Sequence, residues 1–106
     1  MIDVRFFTTD SGELLGFSIN GHAGYGEDGA DVVCAAVSSA AYLTANTVTE
    51  ILHADAQVSA DDGFMQVRVS PSSAAGCRSI FAGFKLHMIG LEEQYLDYIR
   101  VSYLEV

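Results

Sequence analysis

Residues 32–53, V-V-C-A-A-V-S-S-A-A-Y-L-T-A-N-T-V-T-E-I-L-H, carry the best helical signal in the chain. Val33, Ala36, Val37, Ala40, Ala41, Leu43, Thr44, Thr47, Val48, Ile51 and Leu52 recur at helical spacing and form a wide apolar stripe. The many alanines permit close approach to a sheet or a second helix. Cys34, Ser38 and Tyr42 follow one another at i, i+4 and i+8, so they look the same way. Asp31, just before Val32, is a good N-cap. With Asp31 as cap, Val32, Val33 and Cys34 fill the first turn. The exposed N–H groups and the positive helix end then act on the Cys34 sulfur and favour thiolate over thiol.

Upstream lies a loop, residues 21–30, with glycines at 21, 24, 26 and 29. Before it, residues 2–8 and 13–20 alternate apolar and polar around a Thr9-Asp10-Ser11-Gly12 turn, which predicts a β-hairpin. Downstream, residues 56–60 and 64–70 predict a second hairpin about Asp61-Asp62-Gly63, with Met65, Val67 and Val69 on one side and Phe64, Gln66 and Arg68 on the other. Residues 74–97 read as a second helix with Ile80, Phe84, Met88, Leu91 and Tyr95 inward, flanked by Phe81, Leu96 and Ile99. Residues 99–104 alternate again. The order β-β-α-β-β-α-β, with about five short strands and two helices, predicts an α+β fold: a two-layer sandwich, and a single domain over residues 1–106.

Half of the residues are hydrophobic, which argues against disorder. The formal charge is −9, from 14 acids against 5 Lys+Arg. Such a surface repels nucleic acid phosphate, so no direct nucleic acid partner is expected. It attracts a basic protein or peptide. No signal peptide is visible and no apolar run is expected to reach the ~20 residues of a membrane helix, so the expected location is cytoplasmic, with no membrane partner. In that compartment two cysteines are expected as thiols.

Cys34 has two readings: a small buried hydrophobe on an Ala/Val-rich helix, or a reactive thiol beside a base. His22, twelve residues upstream where a strand gives way to the glycine loop, is the candidate base; otherwise it is a loop histidine bonded to backbone. Asp31 either caps the helix or orients the His22 imidazole. Ser38 either bonds the carbonyl four residues back or donates into a cleft. Glu27 and Asp28 are solvated loop charges or contacts for a basic substrate. The loop itself is expected to act as a mobile flap, ordered by substrate. Cys77, His53 and His87 read as packing or surface residues. No metal is expected, because the cysteines belong to no CxxC pair and fit no zinc spacing. No cofactor is expected either, because the loop lacks the spacing and the lysine of a phosphate-binding loop.

Gly21-His22-Ala23 followed by Gly29-Ala30-Asp31-Val32-Val33-Cys34-Ala35-Ala36-Val37-Ser38 resembles the ribosomal-processing cysteine protease family (Prp, YsxB-like), and the likeness extends over the length and element order of the chain. The resemblance implies a bacterial cytoplasmic endopeptidase with a small α/β fold, assembled as a homodimer. It implies removal of the N-terminal extension of a large-subunit ribosomal protein (L twenty-seven), with Cys34 as nucleophile and His22 as base. Asp31, Gly21 and Ser38 carry over as supporting or substrate-binding residues. Two rival readings stand beside it: a non-catalytic ribosome-assembly module that binds a basic protein, and a redox protein using Cys34 and Cys77.

Overall fold

Ile2, Val4 and Phe6 alternate with Asp3 and Arg5, and the alternation forms strand β1 (Ile2–Thr8), its apolar residues buried and its charges exposed. The structure is a computed structural model. It describes residues 1–22 and 30–106, with side chains for 1–22 and 32–106. β1 turns through Thr9–Gly12 into β2 (Leu14–Asn20), antiparallel, with Val4 opposite Ile19 and Phe6 opposite Phe17. The second hairpin is β3 (Ala56–Asp61) and β4 (Phe64–Val69). It joins the first through antiparallel pairing of β4 with β2. The last strand, β5 (Ile99–Glu105), lies parallel to β1. The sheet therefore runs β3-β4-β2-β1-β5.

Two helices, α1 (Ala30–Asn46) and α2 (Arg78–Gln94), supply the other half of the core. Val33, Val37, Ala41, Ala45 and Val48 come from the first helical segment, and Phe81, Phe84, Met88 and Leu91 from the second. They meet Val4, Phe6, Phe17, Ile19, Met65 and Val67 of the sheet. At the centre the Phe17 ring lies 4.4 Å from Phe84 and 6.3 Å from Phe81, and Phe6 lies 5.8 Å from Phe84. Tilted and edge-on rings at such spacings contribute roughly 0.5–1.5 kcal/mol per pair beyond their buried area. The α+β two-layer arrangement agrees with the sequence pattern.

The helices differ from expectation in four ways. First, α1 begins at Ala30, so Asp31 is the second helical residue rather than the cap. Cys34 accordingly stands at the start of the second turn. Second, the helix does not run evenly to residue 53. It widens into a π-turn over Thr47–Ile51, with Leu52 N–H donating to the Thr47 carbonyl. Thr44, Thr47 and Thr49 each donate a hydroxyl to the carbonyl four residues back. These bonds share the carbonyls of the ordinary ladder, and such sharing loosens a turn. Third, the apolar stripe is narrower than read: Leu43, Ile51 and Leu52 are exposed. Fourth, the second helix starts with two 3₁₀ turns (Pro71–Ser73 and Ala75–Cys77), and its α-helical part spans only 78–94. Leu96, expected to flank the apolar stripe of this helix, is exposed beyond its end.

One compositional expectation is corrected as well. Val32–Ile51 is itself long and apolar enough to cross a membrane by length and hydropathy. Val33, Val37, Ala41, Ala45 and Val48 of this segment serve the core, because a helix packed against a sheet and another helix needs an apolar face toward both.

Cys77 is fully buried in that core. Burial pushes its thiol above the ordinary value of 9.0, because the thiolate loses its water. The folded form holds the neutral thiol, while the unfolded chain ionises from about pH 9 upward. The stability from this neutral thiol is thus intact below pH 9 and lost as pH rises beyond it. Urea midpoints measured at pH 8 and pH 10.5 should fall further for wild type than for Cys77→Ala. Equal falls in the two proteins would refute the assignment.

Candidate active site

The site is built where β2 ends. After Asn20 the chain leaves the sheet through Gly21, whose φ is +98°. A Cβ there would sit 2.4 Å from the Met1 carbonyl oxygen, so only glycine fits. The Gly21 N–H donates to the Gly63 carbonyl at 2.9 Å. The next residue, His22, accepts a 2.6 Å hydrogen bond on its carbonyl from the Met1 nitrogen. The backbone around His22 is thereby tied to the start of β1 on one side and to the β3–β4 turn on the other.

The imidazole is exposed and rests against that turn. Gly63, with φ +69°, offers no side chain, and a Cβ built on it would lie 2.7 Å from His22 Nε2. Beside the imidazole opens a cleft of about 180 Å³, walled by His22 and Gly21, the turn residues Asp61–Gly63, and Cys34, Ser38 and Tyr42 of α1. Its floor includes Ile2, Ile19, Val37, Ala41 and Met65.

Cys34 is not sealed in the interior. It packs against the core on one side and opens to the cleft on the other. The i, i+4, i+8 expectation is met, since Cys34, Ser38 and Tyr42 line one wall. Ser38 is exposed there. Gly21, His22, Cys34 and Ser38 are thus gathered at one place, although the loop that joins the two halves of the motif is not needed to define it.

The glycine loop with Glu27 and Asp28, and its expected role as a flap, lies outside the described residues. So does the Asp31 side chain, and with it the reading of Asp31 as orienter of His22. Only the helical backbone of Asp31 is described. His53 and His87 are exposed and away from the cleft, and Cys77 is in the core, as their packing and surface readings anticipated.

The wall formed by Asp61, Asp62 and Gly63 was not anticipated as part of a site. The turn itself was legible in the sequence, but its neighbour was not. Asn20 pairs with Phe64, and this register brings the hairpin tip beside His22. The Asp62 N–H donates to Asp61 Oδ1 at 2.8 Å, which occupies the first carboxylate within the turn. A larger groove of about 710 Å³ lies between the β1–β2 turn and α2. Glu13, Arg78 and Lys85 line it, with no thiol or imidazole.

A half-buried thiol and an exposed imidazole on one cleft make up the equipment for nucleophilic acyl transfer. Similarity to known proteins points the same way. The family model described as cysteine protease Prp matches residues 1–100. The ribosomal processing cysteine protease Prp of Staphylococcus aureus is 27% identical over 105 residues, covering 97% of this chain and 99% of that protein. The crystal structure of the S. aureus protease in complex with a substrate peptide superposes with a TM-score of 0.87 at 25% identity, covering 98% of this chain and 100% of the other. The same protease with a covalently linked product peptide gives 0.86 at 26% identity, with the same coverage. With the family model spanning nearly the whole sequence, the chain belongs to the cysteine protease Prp family.

Proposed function

We propose that this protease, one domain over residues 1–106, removes the N-terminal extension of a large-subunit ribosomal protein (L twenty-seven), with Cys34 as nucleophile and His22 as general base. The observation that carries the assignment is the meeting of Cys34 and His22 on one cleft. The S. aureus relative is a ribosomal processing protease solved with a substrate peptide, which supports the substrate class.

In this reading the extended peptide lies along the cleft. The Cys34 sulfur attacks the scissile carbonyl, forming a C–S bond and a tetrahedral oxyanion. His22, having taken the thiol proton, returns it to the leaving amine as the C–N bond breaks. Water then attacks the thioester with His22 again accepting a proton, and the released thiol closes the cycle. Because α1 begins at Ala30, N–H groups without intrahelical partners lie in the turn before Cys34. They are the helix-start donors on offer for the oxyanion. Ser38 and Gly21 contact the peptide at the walls.

The substrate is taken to be basic. The net charge of −9, and Asp61 and Asp62 at the rim of the cleft, support this. A homodimer is proposed too, supported by the apolar side chains that Val32, Leu43 and Ile51 of the first helical segment leave exposed. The cytoplasm is the proposed location, as the family resemblance implies.

Incubation of the protein with a synthetic peptide spanning the extension and the first residues of the mature ribosomal protein, read by mass, tests the substrate assignment. A single cut at the junction is expected. An intact peptide after prolonged incubation with fully reduced enzyme would remove it. Sedimentation velocity tests the dimer, and a purely monomeric boundary at tens of micromolar would remove that part alone.

A further inference from the structure

We propose that Gly63, at the tip of the β3–β4 hairpin, is a positioning residue for catalysis: its bare Cα is the seat that holds the His22 imidazole in place. The inference rests on the reading of His22 as the base for Cys34 and adds to it the part that fixes the ring.

Three observations support the seat. Gly63 has φ +69°, so its missing side chain would project from a left-handed turn. The atoms a Cβ would meet are three atoms of one ring: Nε2 at 2.7 Å, Cε1 at 3.2 Å and Cδ2 at 3.4 Å. The turn and the histidine are also joined through backbone, since the Gly21 N–H donates to the Gly63 carbonyl at 2.9 Å. Ring and turn therefore share one register, set by the pairing of Asn20 with Phe64. Any side chain at 63 forces the imidazole away or opens the turn. Either movement changes where Nε2 stands within a cleft that also holds Cys34. Misplacement of a base by about 1 Å can cost on the order of 10²-fold in rate.

Gly12 supplies an internal control. Its φ is +88°, a similar backbone strain, but a Cβ there meets nothing within 4 Å. Gly63→Ala should lower kcat for the extension peptide by about 10- to 100-fold with KM within threefold. Gly12→Ala should leave both within twofold. Gly63→Asn carries the same Cβ but tolerates left-handed φ better, so it should lose kcat similarly while melting closer to wild type. The pH dependence of Cys34 alkylation by iodoacetamide should change shape in both Gly63 variants, and the His22 ring resonances should move, with neither change in Gly12→Ala.

The roles of His22 as base and Gly63 as seat are separable by experiment. If His22→Ala cleaves as wild type does, the assignment of His22 as base falls. If His22→Ala is inactive but both Gly63 variants match Gly12→Ala in kcat, alkylation profile and ring resonances, the seat is refuted and the base stands. The ring resonances are read on folded protein, so an unstable variant still gives an answer.

Discussion

Cys34→Ala is expected to abolish cleavage of the extension peptide, lowering kcat by at least about 10³-fold, while the melting temperature changes little. Removing the nucleophile of a covalent mechanism leaves only binding and oxyanion stabilisation, and in well-studied hydrolases that residue is small. The stability cost is modest because Cys34 is only partly buried, with one side open to the cleft. Peptide affinity should survive, since Gly21, His22, Ser38 and the Asp61–Gly63 wall are untouched. Fluorescence anisotropy of a labelled peptide measures binding, and mass spectrometry measures cleavage. Residual turnover within tenfold of wild type would mean that Cys34 is not the nucleophile. Loss of binding together with loss of cleavage would mean that the thiol holds the peptide, not only attacks it.

The largest effect on stability is expected from Gly16→Ala. Gly16 lies in β2 with φ +149°, opposite Phe7 of β1 and Arg68 of β4. A Cβ at this position would fall 1.9 Å from the Val67 carbonyl oxygen and 2.9 Å from Arg68 Cα. These are backbone atoms of a neighbouring central strand, so no side chain can swing aside to relieve the clash. β2 and β4 would have to part where Phe17 and Val67 anchor the core. Next to it, the register shifts between Phe7 and Thr8, which leaves Leu15 as an extra residue on β2 and is the usual reason for a glycine inside a strand. A loss of at least about 3 kcal/mol follows, a large share of the total stability of a small domain. The melting temperature should then fall by more than about 12 °C. Gly12→Ala, with open space around its Cβ, should lose only about 1 kcal/mol. A Gly16→Ala protein melting within 2 °C of wild type would contradict the strand approach described here.

The residues that were easiest to read are those whose message is local. Alternation in residues 2–8, 64–70 and 99–104 gave strands because a pleated chain turns every second side chain to one face. Cys34, Ser38 and Tyr42 could be placed on a common wall because about 3.6 residues make a helical turn, so every fourth residue returns to nearly the same face. The pairing of a thiol with an upstream histidine was legible from residue type and motif alone. Less legible was the helix start. Asp31 looked like a cap, yet Ala30 already belongs to α1, because an acidic residue suits the first turn as well as the cap. Nor could residue type distinguish Val33 and Val37, which are buried, from Leu43 and Ile51, which face outward. That choice depends on where α2 and the sheet lie around the helix.

By itself, then, the amino-acid order determined the elements and their sequence along the chain, and it singled out the thiol and imidazole proposed as the catalytic pair. Tertiary structure alone decided that β4 adds to the free edge of β2, so that the Asp61–Gly63 tip walls the cleft and seats His22. The physical reason is range. Periodicity and turn chemistry act within a few residues, whereas strand pairing across an intervening helix is chosen by how the apolar faces of distant segments close over one core.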